Sequence, residues 1–486
     1  MTTHQGANAS LLAHIAERVM TDAQFVVHPP QAALDQANRA PETPQAPVGS
    51  RDLRKLPWTS IDNPESRDLD QIEVVEKTAR GVRLLVGIAD VDAFVPKGSP
   101  VDAMAAANTT SIYTGVRTFP MLPDHLSFDA TSLIADADRL AIVFETEIGS
   151  DGTMLSGTSY AALVRNHAKL DYPSVSVWLE GGALPNALEN KPDLQAQVRA
   201  QDELAKTLGE ARKRDGALDV DTEETRAVME NGEVIGLAPQ KQTRAGRIIE
   251  ELMIATNRAV AHALDAAKVP SIRRVVKAPE RWAKIVTYAL ERGVKLPETP
   301  SSVALSKFVD KMRAERPTEM GDISLSIVKL MGRGEYVAHQ PGEKEIGHFG
   351  LATSEYTHST APNRRFCDLV IQRIVKALEH GHGQAYSFDE LVQIAAHGSE
   401  REAAAQKVER RVQKSAAASL LRTRIGEKFD GIITGAADKG TFVRTFHPHA
   451  EGKVVKGAEG LRVGDKVTVT LKSTDVERGF IDFVIG

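Results

Sequence analysis

Apolar residues recur at helical spacing near the start of the chain and again in its middle. Between residues 10 and 28 an apolar side chain stands at nearly every third or fourth position, until Pro29 and Pro30 interrupt the pattern. The following QAALDQANRA predicts a second, short helix. We therefore expect a small helical unit over residues 1–40, either a helix-turn-helix or a mobile helical arm. Further along, AGRIIEELMIATNRAVAHALDAA predicts a long helix whose apolar side carries Ile248, Leu252, Met253, Ala259 and Val260.

Strand-like and helical stretches mix irregularly over residues 50–420. GVRLLVGIADVDAFV and RLAIVFETEI are apolar runs typical of strands. Strands and helices do not alternate regularly, so the pattern favours a large α+β domain over a doubly wound parallel sheet. Residues 41–49 include three prolines and predict an extended linker between this domain and the helical unit.

The pattern changes again near residue 421. From there to residue 486, short segments of alternating apolar and polar residues are separated by glycines. About 60 residues of this kind fit an all-β barrel of the OB type. The preceding residues 401–424 predict a basic helix. We expect the barrel, of the ribosomal-protein type, and this helix to contact RNA.

Composition narrows the class of protein. The chain has 486 residues, 42% of them apolar, with a formal net charge of -5. A nucleic-acid surface must then be local rather than global. The one cysteine excludes a disulfide scaffold or a cysteine zinc site. With no apolar run of about 18 residues and no secretory pattern at the start, we expect a cytoplasmic protein with no membrane contact.

The segment SIDNPESRDLDQIEVVE, residues 60–76, groups three aspartates. Asp68 and Asp70 point the same way if the segment is extended, and a turn at NPES could fold Asp62 back beside them. Three converging carboxylates repel one another unless a cation neutralises them, and oxygen ligands favour Mg²⁺ or Mn²⁺. A solvated acidic turn explains the same residues, so this segment alone leaves both interpretations open.

A second segment, YTHSTAPNRRFCDLVIQRIVKALEHGHG from residue 356, predicts a helix with Pro362 in its first turn. Arg364 and Arg365 would then lie at the helix N-terminus, where free N–H groups and a guanidinium can bind phosphate. Alternatively, Arg365 pairs with Asp368 on the surface.

Together, in this order, the two segments resemble the RNB family of hydrolytic 3′-to-5′ exoribonucleases. GIADVDAFVPKGSPVDAMAAANTTSIYTGVRTFPMLPDHLS, HAKLDYPSVSVWLE, RIIEELMIATNRAVA and VERRVQK also resemble family blocks, in family order. The resemblance covers about residues 50–486. It implies an RNB catalytic domain over 50–420, followed by the OB-fold barrel.

The resemblance assigns the acidic segment to metal binding and catalysis. Asp62, Asp68 and Asp70 match the family's metal-binding aspartates, with Asp70 the most important. Gln71 stands where the family usually has a fourth aspartate. Its amide oxygen can still bind Mg²⁺ but adds no charge, so we expect weaker metal affinity and slower chemistry. Arg364 matches the arginine that holds the scissile phosphate.

Further residues are implied to contact RNA. Tyr113 matches the aromatic residue that stacks on the 3′-terminal base. Tyr172 and Glu251 match positions that touch the ribose and select RNA over DNA, and Glu409 matches a residue of the terminal-nucleotide pocket. Arg365 is expected to contact RNA as well. Three of these residues have a plain structural alternative, namely a core tyrosine for Tyr113, an exposed helix residue for Glu251 and a helix salt bridge for Glu409.

Two further departures from the family pattern concern RNA. Val220 stands where ribonuclease II has the second aromatic residue of its base clamp, so the hold on short products should weaken. The segment before residue 50 has no room for the family's paired cold-shock barrels, which puts the usual RNA entry path in doubt.

We therefore expect a Mg²⁺- or Mn²⁺-dependent, processive exoribonuclease that degrades single-stranded RNA to nucleoside 5′-monophosphates without an obligate protein partner. The alternative is a catalytically weakened or inactive RNA-binding relative. A third interpretation makes the barrel the main functional unit of a translation-associated binder.

Overall fold

The computed structural model describes residues 2–41, 45–220, 224–230, 233–240, 242–381, 383–437 and 440–485. Within these residues the α-helices are α1 (Thr2–Asp22), α2 (Gln31–Ala37), α3 (Pro100–Asn108), α4 (Tyr172–Leu179), α5 (Pro192–Asp215), α6 (Arg244–Ala266), α7 (Trp282–Leu290), α8 (Ser302–Glu315), α9 (Met320–Leu330), α10 (Phe366–Glu379) and α11 (Phe388–Leu421). The strands are β1 (Arg51–Asp52), β2 (Thr59–Asp62), β3 (Gln71–Thr78), β4 (Gly81–Ala89), β5 (Ile112–Tyr113), β6 (Thr118–Phe119), β7 (Asp138–Gly149), β8 (Met154–Arg165), β9 (Ala168–Asp171), β10 (Glu224–Glu230), β11 (Glu233–Gln240), β12 (Ser271–Val275), β13 (Glu335–His339), β14 (Lys428–Ala437), β15 (Gly440–Thr445), β16 (Glu451–Lys456), β17 (Lys466–Asp475) and β18 (Phe480–Val484).

A seven-stranded mixed sheet organises the large domain, in the order β1-β8-β7-β4-β3-β2-β9. The strands from β8 to β2 pair antiparallel, and the short edge strands β1 and β9 pair parallel to their neighbours. Trp58, Ile72, Val86 and Ile142 are fully buried in its core. The central strands bury nearly every residue, which explains why their sequences are continuous apolar runs.

Helices cover this sheet and connect it to smaller units. α5 packs against β3, and α6 against β7 and β8. The predicted long helix is α6, and its predicted residues Ile248, Leu252 and Val260 are buried. Helices α7, α8 and α9 pack around a separate core that includes Trp282 and Phe308.

The C-terminal strands form a closed barrel in the order β14-β15-β16-β18-β17, centred on Phe429, Val443, Val469 and Phe483. The predicted α+β architecture with a terminal OB-like barrel is confirmed. Helix α11 is longer than the predicted basic helix and packs against both β13 and the barrel strand β17. Two of its cations contact the barrel, since Arg411 donates to the backbone oxygen of Glu477 and the exposed Lys414 lies 3.9 Å from Glu451.

One predicted helix boundary is wrong. The helix after the arginine pair begins at Phe366, so Arg365 is its N-cap and Pro362 lies outside it. In the part of the chain that the structure describes, no helix has the length and apolarity required to cross a bilayer.

Candidate active site

A cleft of about 1660 Å³ opens between the edge of the large sheet, the helices α5 and α6, and the segment that precedes α10. It brings together side chains that lie up to about 300 positions apart in sequence. Of the residues that the sequence singled out, the cleft is lined by Asp62, Asp68, Gln71, Tyr113, Tyr172, Val220, Glu251, Arg364 and Arg365.

Asp70 lies at the centre of this arrangement. Asp70 is 1% exposed, and its neighbours Leu69 and Gln71, the first residue of β3, are also buried. Arg364 donates from Nε to Asp70 Oδ2 at 2.6 Å. Burial raises the pKa of Asp70 to about 7, with the Asp68 charge adding and Arg364 opposing. Among the described residues, Asp70 Oδ1 has no hydrogen-bond partner. A buried, unsatisfied carboxylate oxygen is a suitable ligand for a cation.

Asp62 reaches the cleft through the predicted turn. It ends β2, and its Oδ1 accepts the Asn63 backbone N–H at 2.7 Å and the Ser66 hydroxyl at 2.9 Å. The Ser66 N–H also donates to the Asn63 carbonyl oxygen, which closes the turn. Burial raises the pKa of Asp62, and Asp68 raises it further while Arg364 lowers it. The turn therefore folds Asp62 back beside the other aspartates, as its sequence predicted.

Tyr113 and Asp68 form a pair at the rim of the cleft. The tyrosine hydroxyl donates to Asp68 Oδ2, and the ring remains 39% exposed. Glu409, from α11, accepts the backbone N–H of Tyr113 at 3.0 Å. The structure therefore places Glu409 behind Tyr113, as a support for its backbone, and not among the residues that line the cleft.

Tyr172 and Glu251 also line the cleft. Tyr172 is the first residue of α4, whose N-cap Asp171 accepts from the Ser174 N–H at 2.8 Å, and burial raises the pKa of Tyr172. Glu251 is 9% exposed, so it is not a solvated helix residue. Each of its carboxylate oxygens accepts from Arg212 of α5, with 2.8 Å between Nε and Oε2.

Sequence reasoning missed Arg212, although α5 carries a signal for it. Gly209 lies inside this helix, where glycine costs roughly 1 kcal/mol relative to alanine. A Cβ at that position would lie 3.3 Å from Glu251 Oε1, so the glycine makes room for the carboxylate. Gly209, one turn before Arg212, was therefore the signal in the sequence that could have identified this arginine.

The two arginines have different environments. Arg365 binds Asp368 through both of its carboxylate oxygens, at 2.6 and 2.9 Å, so the ion-pair alternative is the arrangement found. The backbone N–H groups of Arg364 and Arg365 donate to the Ala361 oxygen, and that of Phe366 donates to the Thr109 oxygen. The expected phosphate site on free helix N–H groups is therefore wrong. The Arg364 side chain is 40% exposed and supplies the available positive charge beside Asp70.

The donor set suits a hard divalent cation. Asp62, Asp68, Asp70 and Gln71 offer oxygen ligands only, which favours Mg²⁺ or Mn²⁺. Arg364 holds one oxygen of Asp70 and Tyr113 holds one oxygen of Asp68, and among the described residues the three aspartates do not form a group with all ligand atoms within 4.8 Å.

In the described residues, one group of potential ligands lies within 4.8 Å of one another, namely Asp265, His339 and Glu345. Arg273 lies 3.3 Å from Glu345 and 3.7 Å from Asp265, and it already neutralises that cluster.

Comparison with known proteins agrees with this geometry. Residues 50–381 match the RNB domain, and residues 427–485 match the RNase II-type exonuclease C-terminal S1 domain. The chain therefore belongs to the RNB family of exoribonucleases.

Individual relatives support the assignment. The chain is 30% identical to ribonuclease R of Thermotoga maritima, over 94% of this chain and 68% of that protein. It is 30% identical to ribonuclease R of Escherichia coli, over 93% of this chain and 60% of that protein. A structure of Mycoplasma genitalium RNase R in complex with ribose methylated single-stranded RNA shares the fold, with a TM-score of 0.86 and 23% identity over 97% of this chain and 77% of that one. The chain spans 52–69% of the length of the curated ribonuclease R sequences that it matches.

Proposed function

We propose that the protein is a metal-dependent 3′-to-5′ exoribonuclease that removes nucleotides one by one from single-stranded RNA and releases nucleoside 5′-monophosphates. The observation that carries the proposal is Asp70. It is buried, bound to Arg364 through one oxygen, left unsatisfied at the other, and placed beside the Asp68–Tyr113 pair at the edge of a large cleft. A purely RNA-binding surface has no use for carboxylates that face a polyanion.

Each side chain has a role that follows from its position. The exposed ring of Tyr113 offers a stacking platform for the terminal base, and its hydroxyl is held by Asp68. The half-exposed guanidinium of Arg364 would bind the scissile phosphate and stabilise the charge that develops on it. A divalent cation bound to the aspartates and Gln71 would neutralise their charge and lower the pKa of a bound water for attack on the phosphodiester.

Glu251 provides sugar selection. Both carboxylate oxygens of Glu251 accept from Arg212, and each retains a second lone pair that can accept from a 2′-hydroxyl. DNA lacks that donor and would leave the carboxylate without this hydrogen bond. Sequence-specific readout of RNA is not expected, because these contacts address stacking faces, sugar and phosphate.

One observation favours a second function. Gln71 places a neutral amide where the family usually has a charged aspartate. The site therefore attracts a cation more weakly, and catalysis that depends on the cation is slower. The competing proposal is an RNA-binding RNB protein with little or no hydrolytic activity.

A 5′-labelled, unstructured RNA distinguishes the two functions. We expect metal-dependent shortening from the 3′ end to a small limit product, with nucleoside 5′-monophosphates as the released species. The Asp70→Asn variant should leave the RNA intact. The unaltered protein should leave a DNA of the same sequence intact. RNA that binds but keeps its full length in Mg²⁺ and in Mn²⁺ would contradict the exonuclease and support the binding protein.

A further inference from the structure

The hairpin that carries Tyr113, residues 110–119, is bound at its first two residues to the segment that precedes α10. The Ser111 N–H donates to the Arg364 backbone oxygen at 3.0 Å, and Thr110 pairs with Arg365. β5 and β6 have only two residues each, and a hairpin this short is not stable by itself. The position of Tyr113 therefore depends on what packs behind the hairpin.

Helix α11, which contacts β5 directly, and the N-terminal helical unit, which packs on α11, supply that packing together. Ile112 and Phe119, the inward side chains of the hairpin, are 1% and 4% exposed. They lie in a closed apolar cluster, defined here as the hairpin cluster, with Ala16, Met20, Phe25, Ala405, Val408 and Val412. Three of these residues belong to α1 or the turn after it, and three belong to α11. An ion pair between Glu17 and Arg117 links α1 to the hairpin from outside the cluster.

The helical unit is itself fixed to the large domain. Arg401 of α11 donates to the Ala23 backbone oxygen at 3.0 Å, and its guanidinium lies 3.7 Å from the centre of the Phe25 ring. On the other side, Asn108 exchanges two hydrogen bonds with the backbone of Val26, at 2.8 and 3.0 Å. These contacts make the unit a docked element and not a mobile arm.

We propose that the N-terminal helical unit is a positioning element of the active site, and that Met20 and Phe25 hold Tyr113 where it can stack on the 3′-terminal base. This inference rests on the proposed function for its consequence in RNA degradation. The contacts that carry it are independent of RNA. Met20 and Phe25 act through the hairpin and touch neither substrate nor metal, so they are positioning residues and not catalytic ones.

Hydrogen exchange of residues 110–119 tests the positioning directly, in the full chain and without RNA. We expect Phe25→Ala to speed exchange there by about tenfold or more, because a cavity in the hairpin cluster makes local opening more frequent. Strands β7 and β8 should keep the exchange rates of the unaltered protein. If Phe25→Ala does not fold, Phe25→Leu keeps most of the buried volume and should give an increase of about threefold. Unchanged exchange at 110–119 in the folded variant would overturn the proposal.

A matched control lies on α1, the helix that precedes Phe25. Arg18 is next to Glu17 but points away from the hairpin cluster and binds Glu477 of the barrel at 2.6 Å. The Arg18→Ala variant should leave exchange at 110–119 unchanged. An equal increase in this variant and in Phe25→Ala would show a general loosening of α1 and would contradict a specific role for Phe25.

Stacking is measured with an RNA that carries 2-aminopurine as its 3′-terminal base, bound to protein in which Asp70→Asn prevents hydrolysis. Stacking on Tyr113 quenches the probe, and Phe25→Ala should lose about half or more of that quenching while overall RNA affinity changes by less than about threefold. Full quenching in Phe25→Ala would refute the proposal. If the Asp70→Asn protein binds the RNA without quenching the probe, Tyr113 does not stack on the terminal base, and that part of the proposed function is wrong. The hydrogen-exchange experiment then still tests whether Phe25 positions the hairpin.

Discussion

Glu73 provides a sharp test of the energetics beneath the candidate site. It lies on β3 two residues after Gln71 and is completely buried, and within the described residues neither carboxylate oxygen has a hydrogen-bond partner. A buried acceptor left unsatisfied costs about 1–3 kcal/mol, so the two oxygens together cost roughly 2–6 kcal/mol. Replacement by leucine removes that cost and adds about 1 kcal/mol of packing strain. We therefore expect Glu73→Leu to stabilise the protein by about 1–5 kcal/mol at pH 7.

The pH dependence of this gain has a definite sign. Burial raises the pKa of Glu73 well above its ordinary value of 4.5, and the charge of Asp62 adds to the increase. Above pH 4.5 the folded state therefore holds a proton that the unfolded state has released. The unaltered protein then loses stability as pH rises towards the raised pKa. The advantage of Glu73→Leu should be smallest near pH 4 and grow towards pH 8.

Urea denaturation at several pH values measures the gain in unfolding free energy and its dependence on pH. Glu73→Gln separates the two, because glutamine keeps polar atoms in the same place but cannot ionise. In this variant only the pH dependence should disappear. Glu76→Gln is the matched control on the same strand, since Glu76 is half-buried and paired with Arg83, and it should change stability by less than about 0.5 kcal/mol. A Glu73→Leu protein that is less stable at pH 7, or whose gain is the same at every pH, would refute the reasoning.

The remaining predictions concern metal and RNA. Burial raises the pKa of Asp70 to about 7, and a carboxylate binds a cation only when it is ionised. Mg²⁺ affinity should therefore rise about tenfold per pH unit below pH 7 and level off above it. Calorimetric titrations with Mg²⁺ at several pH values measure this affinity, and an affinity that does not change with pH would contradict the prediction. Gln71→Asp adds a fourth carboxylate and should strengthen Mg²⁺ binding by about tenfold or more, measured by the same titration, whereas no gain would show that position 71 does not face the cation. Tyr113→Ala should raise KM for RNA by about 5- to 100-fold through lost stacking, while Tyr113→Phe keeps the ring and should leave KM within about twofold; equal increases in steady-state assays would exclude the stacking role.

Local sequence patterns anticipated much of the candidate site. The NPES turn predicts that Asp62 returns towards Asp68 and Asp70, and the observed hydrogen bonds of Asn63 and Ser66 close that turn. Turn and strand periodicity act over a few residues, so they can be inferred without tertiary contacts. The same holds for the α+β class, the long helix α6 and the closed barrel, which follow from hydrophobic spacing.

Other features depend on partners that are distant in sequence. Glu409 supports a backbone N–H that lies 296 positions earlier, and Glu251 is paired with an arginine of another helix. The raised pKa of Asp70 comes from burial under the assembled domain, which no local pattern reports. Arg365 had two available roles, and the fold selected Asp368 because the helix begins at Phe366, four residues after Pro362.

The chain by itself therefore determined which elements form, which carboxylates can gather, and which family its motifs resemble. The tertiary structure decided which of those groups is buried, which oxygen remains unsatisfied, and which arginine stays exposed for phosphate. It also gave the N-terminal helices a place against the Tyr113 hairpin. The physical reason is the distance along the chain over which each effect acts. Spacing and turn chemistry involve neighbouring residues, whereas desolvation and ion pairing depend on every element that packs around a group.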